Sequence, residues 1–100
     1  MEYEWDLLKA EQNAAKHGVR FEQVSGFNWK NAAVKRDERR DYGERRYIAV
    51  GPIDGRLHVL VFTVRGRKVR VIGLRKANAR ERIRHERTKE AFLDFPERLG

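Results

Sequence analysis

The sequence predicts an α+β fold in which N-terminal helices precede an antiparallel sheet of three to four strands and a C-terminal helix closes the chain. Three observations favour this fold class. The chain begins with helix-forming residues that follow a capping aspartate. Three segments rich in β-forming residues come next and are separated by turn glycines. The last segment is charged and starts with an Asn–Glu capping pair. One hundred residues suffice for one modest core, so we expect a single domain over residues 1–100.

The first predicted element is a helix over about residues 7–17. Asp6 precedes it as an N-cap, and Gly18 follows it as a residue that readily adopts the left-handed conformation at a helix end. Lys16 and His17 then lie in the last turn. As residues at a helix end, both have a purely structural interpretation, in which their charges interact with the C-terminal dipole.

The middle of the chain carries the strand signals. Apolar residues at three-residue spacing predict a short helix over about residues 21–27, and a first strand is expected over residues 30–36. Three further strands are predicted from RRYIAVGPI, RLHVLVFTV and RGRKVRVIGLR, the first two joined by a tight turn at Asp54-Gly55. The second of these segments is apolar on both faces, which predicts a central strand. Within it we expect His58 at the sheet surface.

Two charged regions flank these strands. The loop RDERRDYGE holds an acidic patch of Asp37, Glu38 and Asp41, which has no spacing typical of paired catalytic carboxylates. The final helix is expected over about residues 78–95, with Ile83 as its one large apolar residue before Phe92. Such a helix is either solvated through charge pairing, laid on a polyanion or ordered by another chain. A docking patch is predicted from three late apolar residues, Phe92, Leu93 and Phe95.

Composition restricts the possible function. The 23 Lys and Arg residues against 15 Asp and Glu residues give a formal net charge of +8, which favours an anionic partner such as nucleic acid. The absence of cysteine excludes a disulfide framework, a thiolate nucleophile and Cys-based zinc sites. No His/Asp/Glu spacing is typical of a metal site, so we expect no cofactor. An acidic N-terminus without a long apolar run predicts a cytoplasmic protein with no membrane contact.

Three segments together resemble a known family: EWDLLKAEQNAAKHGVRFE, ERRYIAVG and VFTVRGRKVRVIGLRKANARERIR. They are similar to the BrnT toxins, the ribonuclease halves of bacterial type II toxin–antitoxin systems, over roughly residues 3–87. The resemblance implies a RelE-like fold, cleavage of RNA without a metal and inhibition of translation. It also implies a BrnA-like antitoxin with a ribbon-helix-helix region, through which the complex would reach operator DNA. A tyrosine is common in the family where this chain has His85, and the usual I.SAR pattern is replaced at Ile72-Gly73-Leu74-Arg75.

Metal-free RNA cleavage requires a base for the 2′-hydroxyl proton, donors that neutralise the phosphate and an acid for the leaving oxygen. The candidate catalytic residues are His17, Lys16, Arg46, Arg70 and Arg75. The candidate RNA-binding residues are Lys9, Arg65, Arg80, Arg82 and His85. Arginines at alternate positions of neighbouring strands can converge on one phosphate, whereas each one alone is equally consistent with a solvated sheet surface. The alternative function is a non-catalytic nucleic-acid-binding or co-repressor module, and turnover separates the two.

Overall fold

The computed structural model describes residues 1–94, with side chains described through residue 88. This part of the chain contains five strands and two α-helices. The elements in chain order are β1 (Glu2–Glu4), α1 (Leu7–His17), β2 (Ala33–Arg36), β3 (Tyr47–Ile53), β4 (Arg56–Arg65), β5 (Lys68–Lys76) and α2 (Ala79–Asp94). Two 3-10 turns, Phe21–Gly26 and Trp29–Asn31, lie between α1 and β2. The α+β class with helices at both ends is therefore confirmed.

The sheet is mixed and has the strand order β1-β5-β4-β3-β2. The expected antiparallel sheet of three to four strands is corrected, because β1 adds a fifth strand that runs parallel to β5. Its three residues pair with Lys68 to Arg70, more than sixty positions away, so no local pattern marks this strand. The remaining strand pairs are antiparallel, and β4 is central, as its two apolar faces predict.

Local signals set most of the other boundaries. Asp6 accepts a hydrogen bond from the amide of Lys9 at 3.1 Å, and Gly18 ends α1 at a φ of 69°. The turn between β3 and β4 has positive φ at both Asp54 and Gly55, which suits the twist of a two-residue hairpin. The strand expected from residue 30 begins only at Ala33, because the chain makes a 3-10 turn immediately before it.

The hydrophobic core covers one face of the sheet. Its fully buried members from the sheet and from the segment after α1 include Val19, Phe21, Val24, Leu60, Val71 and Leu74. His58 also lies on this side and is only 3% exposed, which corrects its expected position at the sheet surface. Its Nδ1 is 2.7 Å from the carbonyl oxygen of Arg56. Opposite His58, Gly51 leaves room for the Phe27 ring, which would lie 2.8 Å from an added Cβ.

The second face of the sheet faces α2. Two cross-strand rows of side chains cover it: Ala33, Val50, Val59 and Arg75 in one row, and Lys35, Ile48 and Val61 in the next. α2 contributes His85, which is only 7% exposed, whereas Ile83 is 56% exposed. Ile83 therefore faces away from the sheet, whereas His85 faces towards it. The predicted patch of Phe92, Leu93 and Phe95 lies outside the described side chains.

Candidate active site

Arg75, near the end of β5, is held by a carboxylate from the start of α2. Its two terminal nitrogens donate to the two oxygens of Glu81 at 2.8 and 2.7 Å. Glu81 is itself fixed by the capping box that the sequence predicts. The amide of Asn78 donates to its carboxylate at 2.9 Å, and its own amide donates to the Asn78 side chain at 2.8 Å. The helix cap therefore orients the guanidinium of Arg75.

Asn13 brings the end of α1 to the same place. Its amide nitrogen donates to the carbonyl oxygens of Leu74 at 2.7 Å and Val19 at 3.0 Å, and its oxygen accepts from the amide of Leu74 at 3.2 Å. The side chain thus pairs with the edge of β5 beyond the point where β1 stops. We call these three hydrogen bonds the Asn13 clamp. Since Leu74 precedes Arg75, the clamp joins α1 to the residue before this arginine, whose charge acts on His17.

The electrostatics of His17 follow from that placement. Although His17 is exposed, desolvation, then the charge of Lys16, then that of Arg75 lower its pKa below its ordinary value. A histidine that merely ends a helix would have its charged form favoured by the C-terminal dipole, which raises the pKa. The opposite direction favours the neutral form of His17, the state in which an imidazole accepts a proton.

A third cation reaches this site from the loop between β2 and β3. Asp37 is 5% exposed and binds the Arg39 guanidinium through two contacts of 2.8 Å, and the Tyr42 hydroxyl donates to it at 3.1 Å. The side-chain hydrogen bonds from Arg39 hold the pKa of this carboxyl far below its usual range. Arg39 in turn is near enough to oppose the charge of Arg75. The sequence pattern predicts only an acidic patch at Asp37 and gives no indication of a role for Arg39.

The predicted arginines do not converge on a single point. Strand alternation places Arg65, Arg70 and Arg75 on the second face of the sheet, and Arg46 directly precedes β3. Arg70, however, lies five positions before Arg75 along β5, roughly 16 Å away. At that end Arg46 and Arg65 share Glu44 at 3.4 and 3.3 Å, and Arg70 pairs with Glu4 at 2.6 Å. These arginines form a second group, in which carboxylates offset their charge.

The remaining predicted RNA-binding residues differ in their exposure to solvent. Lys9, Arg80 and Arg82 are exposed on the helices. His85 is buried beside Arg75, where both line a cavity of about 430 Å³ between the second face and α2. We call the residues gathered at this end of β5 the Arg75 cluster: Lys16, His17, Arg39, Arg75, Glu81 and Arg84. The structure thus brings the predicted residue Arg75 together with Arg39, Glu81 and Arg84, which no sequence pattern marks as site residues, and the charge of Arg75 acts on the predicted His17.

The described part of the chain lacks the features of a membrane-spanning helix and of a metal site. Among the described residues, no helix is long and apolar enough to cross a membrane. The same part of the chain contains no group of three or more His, Cys, Asp or Glu side chains that could hold a metal ion.

A protein family accounts for most of the chain. The family model of the ribonuclease toxin BrnT of type II toxin–antitoxin systems matches residues 5–81. The matched region runs through α1 and β2 to β5 and ends at Glu81, so it includes most of the Arg75 cluster. No curated protein matches this sequence. The chain belongs to the BrnT family of ribonuclease toxins of type II toxin–antitoxin systems.

Proposed function

We propose that this protein is an endoribonuclease toxin that cleaves RNA without a metal ion and thereby inhibits translation. One observation carries the proposal: in a member of a ribonuclease toxin family, the charge of the oriented cation Arg75 acts on His17 and contributes to its lowered pKa. A neutral base beside a fixed phosphate-binding group is what attack by a 2′-hydroxyl requires.

In the proposed reaction, His17 accepts the 2′-hydroxyl proton as the 2′-oxygen forms a bond to phosphorus. The bond from phosphorus to the 5′-oxygen breaks, and Lys16 donates a proton to that leaving oxygen. The products are a 2′,3′-cyclic phosphate and a 5′-hydroxyl. Both proton-transfer groups lie in the last turn of α1, so one helix end supplies the acid and the base.

Arg75 neutralises the charge that develops on the phosphate. A guanidinium has five N–H groups, and three of those on Arg75 are engaged, two by Glu81 and one by the carbonyl of Lys76. Two N–H groups therefore remain for phosphate oxygens while Glu81 keeps the side chain in place. Arg39 and Arg84 add positive charge around the same position.

The test is cleavage of a short RNA by the purified protein in the presence of EDTA. We expect cleavage with a cyclic phosphate end, and a rate about 10²-fold lower for His17→Gln and for Arg75→Lys. Arg67→Lys is the matched control for the second variant, because Arg67 is exposed in the β4–β5 turn. Loss of activity with EDTA and recovery with a divalent ion would contradict the metal-free mechanism. RNA binding without any turnover would favour the non-catalytic module.

The same proposal includes a BrnA-like ribbon-helix-helix antitoxin that carries the complex to operator DNA. The net charge of +8 favours an inhibitor that brings acidic residues to the basic surface. We expect the purified complex to bind RNA much more weakly than the free toxin in a filter-binding or polarisation assay. Equal RNA affinity of toxin and complex would show that the antitoxin does not act by covering the RNA site.

A further inference from the structure

The cavity beside Arg75 has an aliphatic floor and a polar wall. Its floor consists of the sheet side chains Ile48, Val50, Val59 and Val61, and its wall of the α2 residues Glu81, Arg84, His85 and Thr88. A volume of about 430 Å³ lies in the range of small-molecule sites and is sufficient for one nucleoside. We call this space the α2 cavity.

The rim of the α2 cavity is strongly cationic. Four positive side chains from four different elements surround it: Lys35 of β2, Arg39 of the β2–β3 loop, Arg75 of β5 and Arg84 of α2. Among the described lining residues, the one acidic group is Glu81, which is already paired with Arg75. The cavity therefore suits a ligand whose centre is apolar and flat and whose flanks are negative on more than one side. A nucleobase between two phosphates has this form.

His85 adds a polar feature to the wall. Its ring is more than nine-tenths buried, and its Nδ1 has no hydrogen-bond partner among the described residues. Because Nδ1 has almost no solvent-accessible surface, the buried nitrogen itself lowers stability, and His85 lines the cavity with other parts of its side chain. The Thr88 hydroxyl, which donates to the carbonyl of Arg84 at 3.0 Å, retains acceptor capacity on the same side of the cavity.

We propose that the α2 cavity binds one base of the RNA substrate, next to the phosphate held by Arg75, and so sets the nucleotide preference of cleavage. This inference rests on the proposed function, since it places the substrate in the same site. The base lies on Val50 and Val61, His85 and Thr88 face its edge, and Lys35, Arg39 and Arg84 receive the neighbouring phosphates.

The experiment uses a short RNA with one cleavage site and versions in which a single abasic riboside replaces each nucleotide near that site. For the wild type, we expect kcat/KM to fall about 10- to 100-fold at one abasic position adjoining the scissile phosphate. Val61→Phe fills the floor of the cavity, and it should slow cleavage of the intact RNA by a similar factor. An abasic residue at the sensitive position should cause no further loss in this variant.

Val64→Phe is the matched control, since Val64 lies on the same strand, is exposed and does not line the cavity. It should retain the wild-type rate and the wild-type abasic profile, while circular dichroism verifies the fold of both variants. Equal cleavage of every abasic RNA by the wild type would overturn the base site. A Val61→Phe variant that keeps the wild-type sensitivity to abasic positions would also overturn it. Weaker antitoxin binding by that variant, with an unchanged profile, would identify the cavity as a peptide site.

A failure of the proposed function gives a different result. If the wild type cleaves none of the RNAs, catalysis is refuted, and the dissociation constants of the same RNAs test the base site directly. If one abasic position lowers the affinity of the wild type for RNA, and Val61→Phe removes this sensitivity, the base site is supported without catalysis. Affinity that is independent of every base overturns it.

Discussion

The Asn13 clamp should contribute measurably to the stability of the fold. Asn13→Ala removes three hydrogen bonds to the backbone of Val19 and Leu74 and leaves two carbonyls and one amide without these partners. Each such bond contributes about 0.5–1.5 kcal/mol net, so the loss is about 2–4 kcal/mol. The higher helix propensity of alanine offsets roughly 0.5 kcal/mol of it. We expect the free energy of unfolding to fall by about 2–3 kcal/mol.

For a domain of this size that change lowers Tm by roughly 10–20 °C. Gln12→Ala is the control, because Gln12 is the exposed neighbour on the same helix. Urea and thermal denaturation, followed by circular dichroism, would compare both variants with the wild type. A difference of less than about 1 kcal/mol between the two variants would refute the assignment of the clamp.

The clamp also has a functional consequence. Because it joins α1 to the residue before Arg75, its loss should let His17 move relative to that arginine. Misplacement of a reacting group by about 1 Å can cost 10²-fold in rate. At a temperature where both variants are folded, we therefore expect slower RNA cleavage by Asn13→Ala than by Gln12→Ala. Equal rates would show that the clamp stabilises the fold without positioning the proposed base.

Three further predictions concern charge. If neutral His17 is the base, kcat/KM should rise with pH through an apparent pKa below 6.5, and pH–rate profiles of His17→Gln should lack this limb. Folding lowers the pKa of Asp37 from 3.8, so its stabilisation is complete above about pH 4 and is lost as the pH falls through the folded value. In urea titrations, Asp37→Asn should therefore be the less stable protein at pH 7, and the difference should shrink towards pH 2; a constant difference would contradict this. Glu81→Gln should cost about 1 kcal/mol, because the ion pair is partly exposed, and should lower kcat about 10-fold by releasing Arg75, as calorimetry and cleavage assays would measure.

Much of the fold could be predicted because its signals are local. Asp6 and Gly18 delimit α1, Asp54-Gly55 forms the hairpin, and the Asn78–Glu81 capping box begins α2. In each case the interacting groups lie within four positions of one another, so the residue types alone indicate the geometry. The same holds for the apolar strand β4, whose two buried faces required a central place in the sheet.

The candidate site could be predicted only in part, because its geometry depends on distant pairs. Lys16, His17 and Arg75 were recognised by type and by family resemblance, but nothing local shows that Asn13 binds Leu74 across 61 positions. The position of Arg39 depends on the burial of Asp37, which an acidic loop pattern does not reveal.

The sequence by itself therefore determined the α+β class, most element boundaries, the basic character and the resemblance to ribonuclease toxins. Only the tertiary structure decided that β1 joins the sheet, that His58 is buried, and that the arginines divide between two ends of one face. The physical reason is the range of the interactions. Caps and turns are satisfied by neighbours in the chain, whereas strand order, burial of a polar side chain and the choice of carboxylate for each arginine depend on which remote segments pack together.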